Sequence, residues 1–287
     1  MSATKPILVF GSTGQVATEL AALPDTVCLG RAAADLSDPK ACADAIRAHA
    51  PRAVINAAAY TAVDRAEEDE PLATTVNGHA PTSMAAICHE LGVPIVHIST
   101  DYVFDGSGTH PWMPDDATQP LGAYGRSKLV GETGVRASGA VHAILRTSWV
   151  FSAHGANFVK TMLRLGAERD GLSVVADQIG GPTPARGIAA ACHAMAEQLI
   201  AHPERAGTYH YAGAPDCSWA EFARAIFDMS GIACAVTDIT TADYPTPAVR
   251  PPNSRMDCTS FTQTFGLPRP NWRASLSETI AELEQTK

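Results

Sequence analysis

Short apolar runs alternate with amphipathic stretches over the first half of the chain. The runs are Ile7-Leu8-Val9-Phe10, Thr26-Val27-Cys28-Leu29, Ala53-Val54-Ile55-Asn56, Pro94-Ile95-Val96-His97-Ile98 and Ala143-Ile144-Leu145-Arg146-Thr147. Continuous apolar runs of this length predict strands buried on both faces. The stretches between them carry helix signals. Asp38-Pro39 reads as N-cap and first helical residue. The pattern from Asn77 to Leu91 is closed by Gly92 and Pro94, and that from Tyr124 runs to Val135. Strand and helix in strict alternation predict an α/β fold, a Rossmann-type doubly wound parallel sheet. After Val150 the alternation loosens. Helices are expected over Asn157–Leu165, Ile188–Ile200, Trp219–Met229 and Leu276–Leu283, and strands over Leu172–Val175 and Gly207–Ala212. Ser218 and Glu221 form a capping box at the third of these helices.

The candidate chemistry lies at the strand ends. Ile7–Phe10 runs into Gly11-Ser12-Thr13-Gly14-Gln15-Val16-Ala17, a glycine turn opening a helix. Glycines let the backbone approach a pyrophosphate, and the helix N-terminus offers free N–H groups. The spacing is Gly-x-x-Gly-x-x-Ala, not Gly-x-Gly-x-x-Gly. The second strand ends in Gly30-Arg31, where NAD enzymes carry an acidic residue. An arginine there suits a 2′-phosphate and favours NADPH, with NADH possible; it equally suits a solvated loop. Small residues Ala57-Ala58-Ala59 end the third strand and leave room for a ring or a phosphate. Thr100 ends the fourth, as a donor to a substrate oxygen or as a turn residue. Tyr102 to Gly122 is an aperiodic, Pro-, Gly- and Asp-rich loop, and loops that long in compact domains are usually functional. It leads to Tyr124-Gly125-Arg126-Ser127-Lys128, which puts a phenol and an ammonium on one helix face. The ammonium is expected to favour the phenolate and make the phenol a better acid. Residues 244–255 hold four prolines and two arginines and are expected to form an ordered loop without regular structure.

Composition narrows the function. The chain has 287 residues and a net charge of −9, with no Lys/Arg run, which argues against nucleic acid as a partner. No stretch approaches the ~20 apolar residues of a membrane span, and Ile7–Phe10 is too brief for a signal sequence. Seven scattered cysteines, without a CxxC pair, fit reduced thiols, so a cytoplasmic location is expected. Cys88-His89 and Cys192-His193 are neighbours in helical patterns and point apart, so no metal site is read there.

Together the glycine turn, Thr100, Tyr124 and Lys128 resemble the extended short-chain dehydrogenase/reductase superfamily. Within it the sequence is similar to the dTDP-4-dehydrorhamnose reductase family, nearly end to end. The resemblance is carried by Gly11-x-x-Gly14-Gln15-Val16, by Asn56-Ala57-Ala58-Ala59-Tyr60-Thr61-Ala62-Val63-Asp64, and by Ser99-Thr100-Asp101-Tyr102-Val103-Phe104. Tyr124-Gly125-x-x-Lys128, Arg146-Thr147-Ser148-Trp149-Val150, Asp177-Gln178-x-Gly180-x-Pro182-Thr183 and Pro245-Thr246-Pro247-Ala248-x-Arg250-Pro251 continue it. It implies an NADPH-dependent reduction of a dTDP-4-dehydro-sugar at C4, with Tyr124 as proton donor, Lys128 holding the ribose and Thr100 on the substrate oxygen. It implies that Gln15 and Val16 touch the cofactor beside Gly11 and Gly14, that Asp35 and Leu36 meet the adenine, and that Ala59, Tyr60 and Thr61 line the dinucleotide. Thr100 and Asp101 would contact the sugar, Trp149 would pack on it, and Arg250 would pair with the diphosphate. Residues 1–150, with a returning segment near 176–213, would form the dinucleotide-binding domain; 151–175 and 214–287 would form a smaller substrate-binding domain. A talose-type product and a non-catalytic regulatory subunit fit the same resemblance, as a monomer or a homodimer. Two positions depart from it. Tyr60 stands where a histidine is common. Some members hold Mg²⁺ between subunits; Glu19 matches one carboxylate, but Arg186 stands where a glutamate is expected, which puts that metal in doubt.

Overall fold

The computed structural model describes residues 5–285. The five apolar runs form β1 (Ile7–Phe10), β2 (Thr26–Leu29), β3 (Ala53–Asn56), β4 (Ile95–Thr100) and β5 (His142–Thr147), and Gly207–His210 adds a sixth strand. All six are parallel, in the order Gly207–His210, β5, β4, β3, β1, β2. The chain leaves β1 for β2 on one side and returns to β3 on the other. Such a reversal opens a crevice at the carboxyl ends of β1 and β3, the place where ligands bind in open α/β sheets.

Period-two alternation divides the strand residues between two cores. Ile7, Val9, Ile55, Val96 and Leu145 pack on one face beneath the helix Ala185–Ala201. Leu8, Phe10, Val54, Ile95 and Ile144 pack on the other beneath Pro39–His49 and Ala80–Leu91. Each such aliphatic side chain, fully buried, contributes roughly 1.5–3 kcal/mol. A third core, around Phe151, Phe222 and Trp272, belongs to a smaller lobe. Its helices are Phe158–Glu168, Trp219–Ser230 and Trp272–Gln285, beside a parallel pair, Gly171–Val175 with Ala235–Ile239. Phe261 and Phe265, from the stretch expected in that lobe, instead pack into the first sheet core.

Two local features differ from the sequence reading. The helix expected from Asn77 starts at Glu70 and passes through a π-helical turn, Thr75–His79, before Ala80–Leu91. Pro81 has no N–H to bond the carbonyl four residues back, so the ladder must loosen there. The proline-rich segment contributes one short strand, Asn253–Ser254, paired with Ile179–Gly180.

The helix Ala123–Ala137 lies close against its neighbours. A β-carbon at Gly125 would collide with the Tyr102 carbonyl oxygen, and one at Gly131 with that of Asn77. Its anchor is Glu132, which has no exposed surface. Glu132 accepts from Arg146 of β5 through Nε at 2.9 Å and Nη2 at 2.8 Å, and from Ser99 Oγ of β4 at 2.6 Å. Arg136 adds a fourth bond at 3.0 Å. Burial pushes the Glu132 carboxyl up, but Arg146, Ser99 and Arg136 outweigh it and hold the group below the ordinary carboxylate range.

Replacing Glu132 with Ala leaves the Arg146 guanidinium buried and unpaired, and is expected to cost about 3–5 kcal/mol in urea unfolding. Because the folded-state value is depressed, the stabilisation is present above about pH 4.3 and is lost as pH falls from there through the folded value. The acid limb of the wild-type stability curve should therefore be steeper than that of the variant.

Candidate active site

A cleft of about 1020 Å³ runs along the carboxyl edge of the sheet and into the smaller lobe. It is lined by Gly11, Gly14, Gln15, Val16, Arg31, Asp35, Leu36, Ala59, Thr61, Thr100, Asp101, Tyr124, Lys128 and Trp149. Two of the expected site residues, Tyr60 and Arg250, do not line it.

At the β1 end the backbone turns through Gly11 at φ 115°, a left-handed conformation open to glycine. A β-carbon there would press on Ala17 Cβ at 3.1 Å and on the Ala57 backbone. Gly14 is the N-cap of Gln15–Ala21 and brings no side-chain cap, so the first-turn N–H groups are left for another acceptor. Uncapped N–H groups over a glycine turn at the sheet crevice fit a pyrophosphate. The Gln15 side chain is already engaged: its Oε1 accepts from Ser152 Oγ at 2.8 Å and Asn157 Nδ2 at 2.9 Å, tying the two lobes. At the rim, the Arg31 side chain is 82% exposed and pairs with Asp35 at 3.7 Å. A bonded Ser37 amide, and to a lesser degree Arg31, holds Asp35 below the ordinary carboxylate range. Arg31 thus has donors available for a 2′-phosphate.

Tyr60 packs against the second sheet core and a small cluster around Ala66, Ala73 and Ala123. Asn77, in the π-helical turn, pins its backbone from both sides: Oδ1 accepts Tyr60 N–H at 2.8 Å, and Nδ2 donates to Tyr60 O at 3.0 Å. The ring is spent on the core, so Ala59 and Thr61 are what this turn offers the cleft.

Thr100 closes β4. Its hydroxyl donates to Asp101 Oδ1 at 3.0 Å and stands beside the Tyr124 phenol. Asp101 accepts a second bond, from Ser254 Oγ at 2.5 Å, and burial pushes its carboxyl up to about 6. Burial, then the Asp101 charge, raises the Tyr124 phenol above its ordinary value. Thr100 is the neighbour that opposes this rise in the resting site. Lys128 instead donates to the Ile98 carbonyl at 2.6 Å, and burial brings its ammonium down to about 8.

In the smaller lobe Trp149 adopts φ 49° and stacks on Trp219, with ring centroids 3.6 Å apart and planes 12° from parallel. Gly180 makes the room: a β-carbon there would stand 2.9 Å from Trp149 Cε2. Arg250 is held by Asp64, through Nη1 at 3.1 Å and Nη2 at 2.8 Å. Sequence reasoning missed Trp219, Ser254 and Thr147, whose buried hydroxyl has no partner. Trp219 carried only a helix signal, Thr147 only its place in the Arg146–Val150 motif, and Ser254 only its place in the proline-rich segment.

The sequence matches the RmlD substrate binding domain family over residues 4–285. A dTDP-4-dehydrorhamnose reductase of Sinorhizobium fredii is 44% identical, over 94% of each chain. The crystal structure of a dTDP-4-dehydrorhamnose reductase from Clostridium acetobutylicum superposes with a TM-score of 0.90 at 36% identity, covering 97% of this chain and 99% of that one. Another, from Bacillus anthracis in complex with NADP, superposes with a TM-score of 0.90 at 32% identity, with the same coverage.

The residues at the expected Mg²⁺ position do not fit a cation. Arg186 Nε stands 3.3 Å from Glu19 Oε2, and its Nη2 3.4 Å from Glu282 Oε2, beside a separate cavity of about 240 Å³. His154 Nε2 lies 3.4 Å from Glu19 Oε1. A guanidinium already balances these carboxylates and cannot ligate a metal. Among the described residues, no three His, Cys, Asp or Glu side chains converge as a metal site. Chelation with EDTA is expected to leave the melting temperature unchanged, whereas the Arg186→Glu variant should gain a Mg²⁺-dependent rise; a wild-type protein that loses stability in EDTA would contradict this.

Proposed function

We infer the function from one premise: the chain belongs to the RmlD substrate binding domain family. On that premise the chain is an oxidoreductase that uses NADPH to reduce the C4 keto group of dTDP-4-dehydro-L-rhamnose, giving dTDP-L-rhamnose. The observation that carries this reading is the meeting of Thr100, Tyr124 and Lys128 in one cleft with the Gly11–Gly14 turn. The relatives named as dTDP-4-dehydrorhamnose reductases, one of them bound to NADP, support the same substrate and cofactor.

Bound NADPH supplies the hydride to the carbonyl carbon. The chain's own groups handle the oxygen. Tyr124 gives its proton to the oxygen as charge develops on it. Thr100 turns its hydroxyl from Asp101 to that oxygen and stabilises it by a preorganised bond. Asp101 then gains from protonation or from a sugar hydroxyl, since its carboxyl already sits near 6. Lys128 holds the ribose hydroxyls. The Trp149–Trp219 slab packs on the sugar and keeps water from the reacting atoms. The diphosphate is assigned to Arg250, whose pairing with Asp64 orients its fork. Arg31 takes the 2′-phosphate. The described structure has no helix long and apolar enough to cross a membrane, and all seven cysteines are free. Burial pushes the thiols of Cys42, Cys88 and Cys217 up to about 12, so they stay protonated. We place the protein in the cytoplasm on that basis.

Purified protein should oxidise NADPH when given dTDP-4-dehydro-L-rhamnose, with dTDP-L-rhamnose as product; no oxidation with that substrate would remove the reading. Tyr124→Phe should lower kcat by roughly 10²–10⁴ while NADPH still binds. Arg31→Asp should lower the ratio of kcat/KM for NADPH over NADH by about tenfold or more, roughly 1.4 kcal/mol; an unchanged ratio would leave Arg31 a loop residue.

A further inference from the structure

The reductase reading leaves one buried group unused. His97, in β4, has no exposed surface and stands between Asn56 and Lys128. Its Nδ1 lies 3.1 Å from Asn56 Nδ2, and its Nε2 lies 3.4 Å from Lys128 Nζ. The Asn56 amide is oriented by its other end, where Oδ1 accepts the Ala58 N–H at 3.3 Å. An amide nitrogen donates and does not accept, so Nδ1 must be the accepting nitrogen. Burial, with the charges of Lys128 and Arg136, holds His97 neutral. A neutral imidazole with an accepting Nδ1 carries its proton on Nε2. That N–H faces Lys128 Nζ. An ammonium has no lone pair to receive it; an amine has one.

We propose that Asn56 and His97 are positioning residues for Lys128, which fix the imidazole tautomer and so offer its Nζ a donor that favours the amine over the ammonium. The other groups around Lys128 act in both directions. Ile98 O accepts from either form. Glu132, one turn along the same helix, favours the ammonium, but Arg146 and Arg136 already balance that carboxylate. Asp101 and Tyr124 share the cleft on the other side. Burial alone already brings Lys128 down to about 8 against the pull of Glu132, and the His97 N–H acts in the same direction as burial. In catalysis, which rests on the reductase reading, a charged Lys128 supports the phenolate left when Tyr124 has given up its proton. Activity is then present below about pH 8 and falls as Lys128 loses its proton above it.

Only five lysines occur in the chain, so each can be followed by NMR of protein labelled with carbon-13 at lysine Cε. The resonance that disappears in Lys128→Met is expected to titrate near pH 8. In His97→Phe, which keeps a ring and loses the N–H, it should titrate at least one pH unit higher, a tenfold gain in proton affinity. The pair Asn56→Leu with His97→Leu, which leaves no side-chain amide facing an apolar ring, should show the same shift if the single variant does not fold. The alkaline limb of kcat/KM should move with the resonance. A Lys128 signal that titrates near 10 in the wild type, or at an unchanged pH in the variants, would overturn the proposal. A protein whose Lys128 behaves as expected but which reduces no sugar would instead overturn the reductase reading.

Discussion

The helix that carries Tyr124 and Lys128 is held to the sheet by a carboxylate with no access to water. Glu132 joins Ala123–Ala137 to β4 through Ser99 and to β5 through Arg146. Arg146 continues the network to the Pro114 carbonyl, at 3.0 Å, and stands over the Phe104 ring at 5.0 Å. One buried ion pair thereby fixes the helix, two strands and the long loop between β4 and the helix. Buried ion pairs are poor sources of net stability, because desolvation offsets most of the attraction. What this one supplies is registration. Tyr124 and Lys128 lie eight and four residues before Glu132 on the same helix, so its seating sets where both stand relative to Thr100.

Several of the contacts that tie the smaller lobe to the sheet are polar. Gln15 reaches Ser152 and Asn157, Arg250 reaches Asp64, and Ser254 reaches Asp101. All of these contacts begin or end on groups at or beside the cleft. Polar interfaces between lobes of one chain permit relative motion more readily than apolar ones. The side chains that join the two lobes are thus the same ones that a ligand in the cleft would meet. Asp101 is the clearest case, because its carboxylate bonds both Thr100 and the proline-rich segment.

The sheet was legible in the sequence because buried parallel strands leave uninterrupted apolar runs, and the glycine turn because strand, glycine and helix follow without a gap. Thr100, Tyr124 and Lys128 could be named from position and spacing. Their electrostatics could not. Spacing puts a lysine one turn from a tyrosine, but it does not tell that Lys128 Nζ bonds a strand carbonyl or that burial dominates the phenol. Gly125 and Gly131 gave no signal beyond helix tolerance; their reason lies in carbonyl groups of Tyr102 and Asn77, far away in sequence. Spacing was equally silent on how Tyr60 and Arg250 are held. A motif names a residue, while a distant partner, Asn77 on the Tyr60 backbone or Asp64 on the Arg250 guanidinium, decides how it is held. Trp219 is a stacking partner 70 positions from Trp149, and no local pattern announces such a pairing.

The two stacked tryptophans also have an optical consequence. Indoles with centroids 3.6 Å apart and nearly parallel planes couple their electronic transitions. The chain has four tryptophans, and the other two, Trp112 and Trp272, lie outside the cleft. The near-ultraviolet circular dichroism of the protein should then carry an exciton couplet from Trp149 and Trp219 alone. Any ligand that slides against the slab perturbs that couplet, so the cleft contains its own label-free reporter of occupancy.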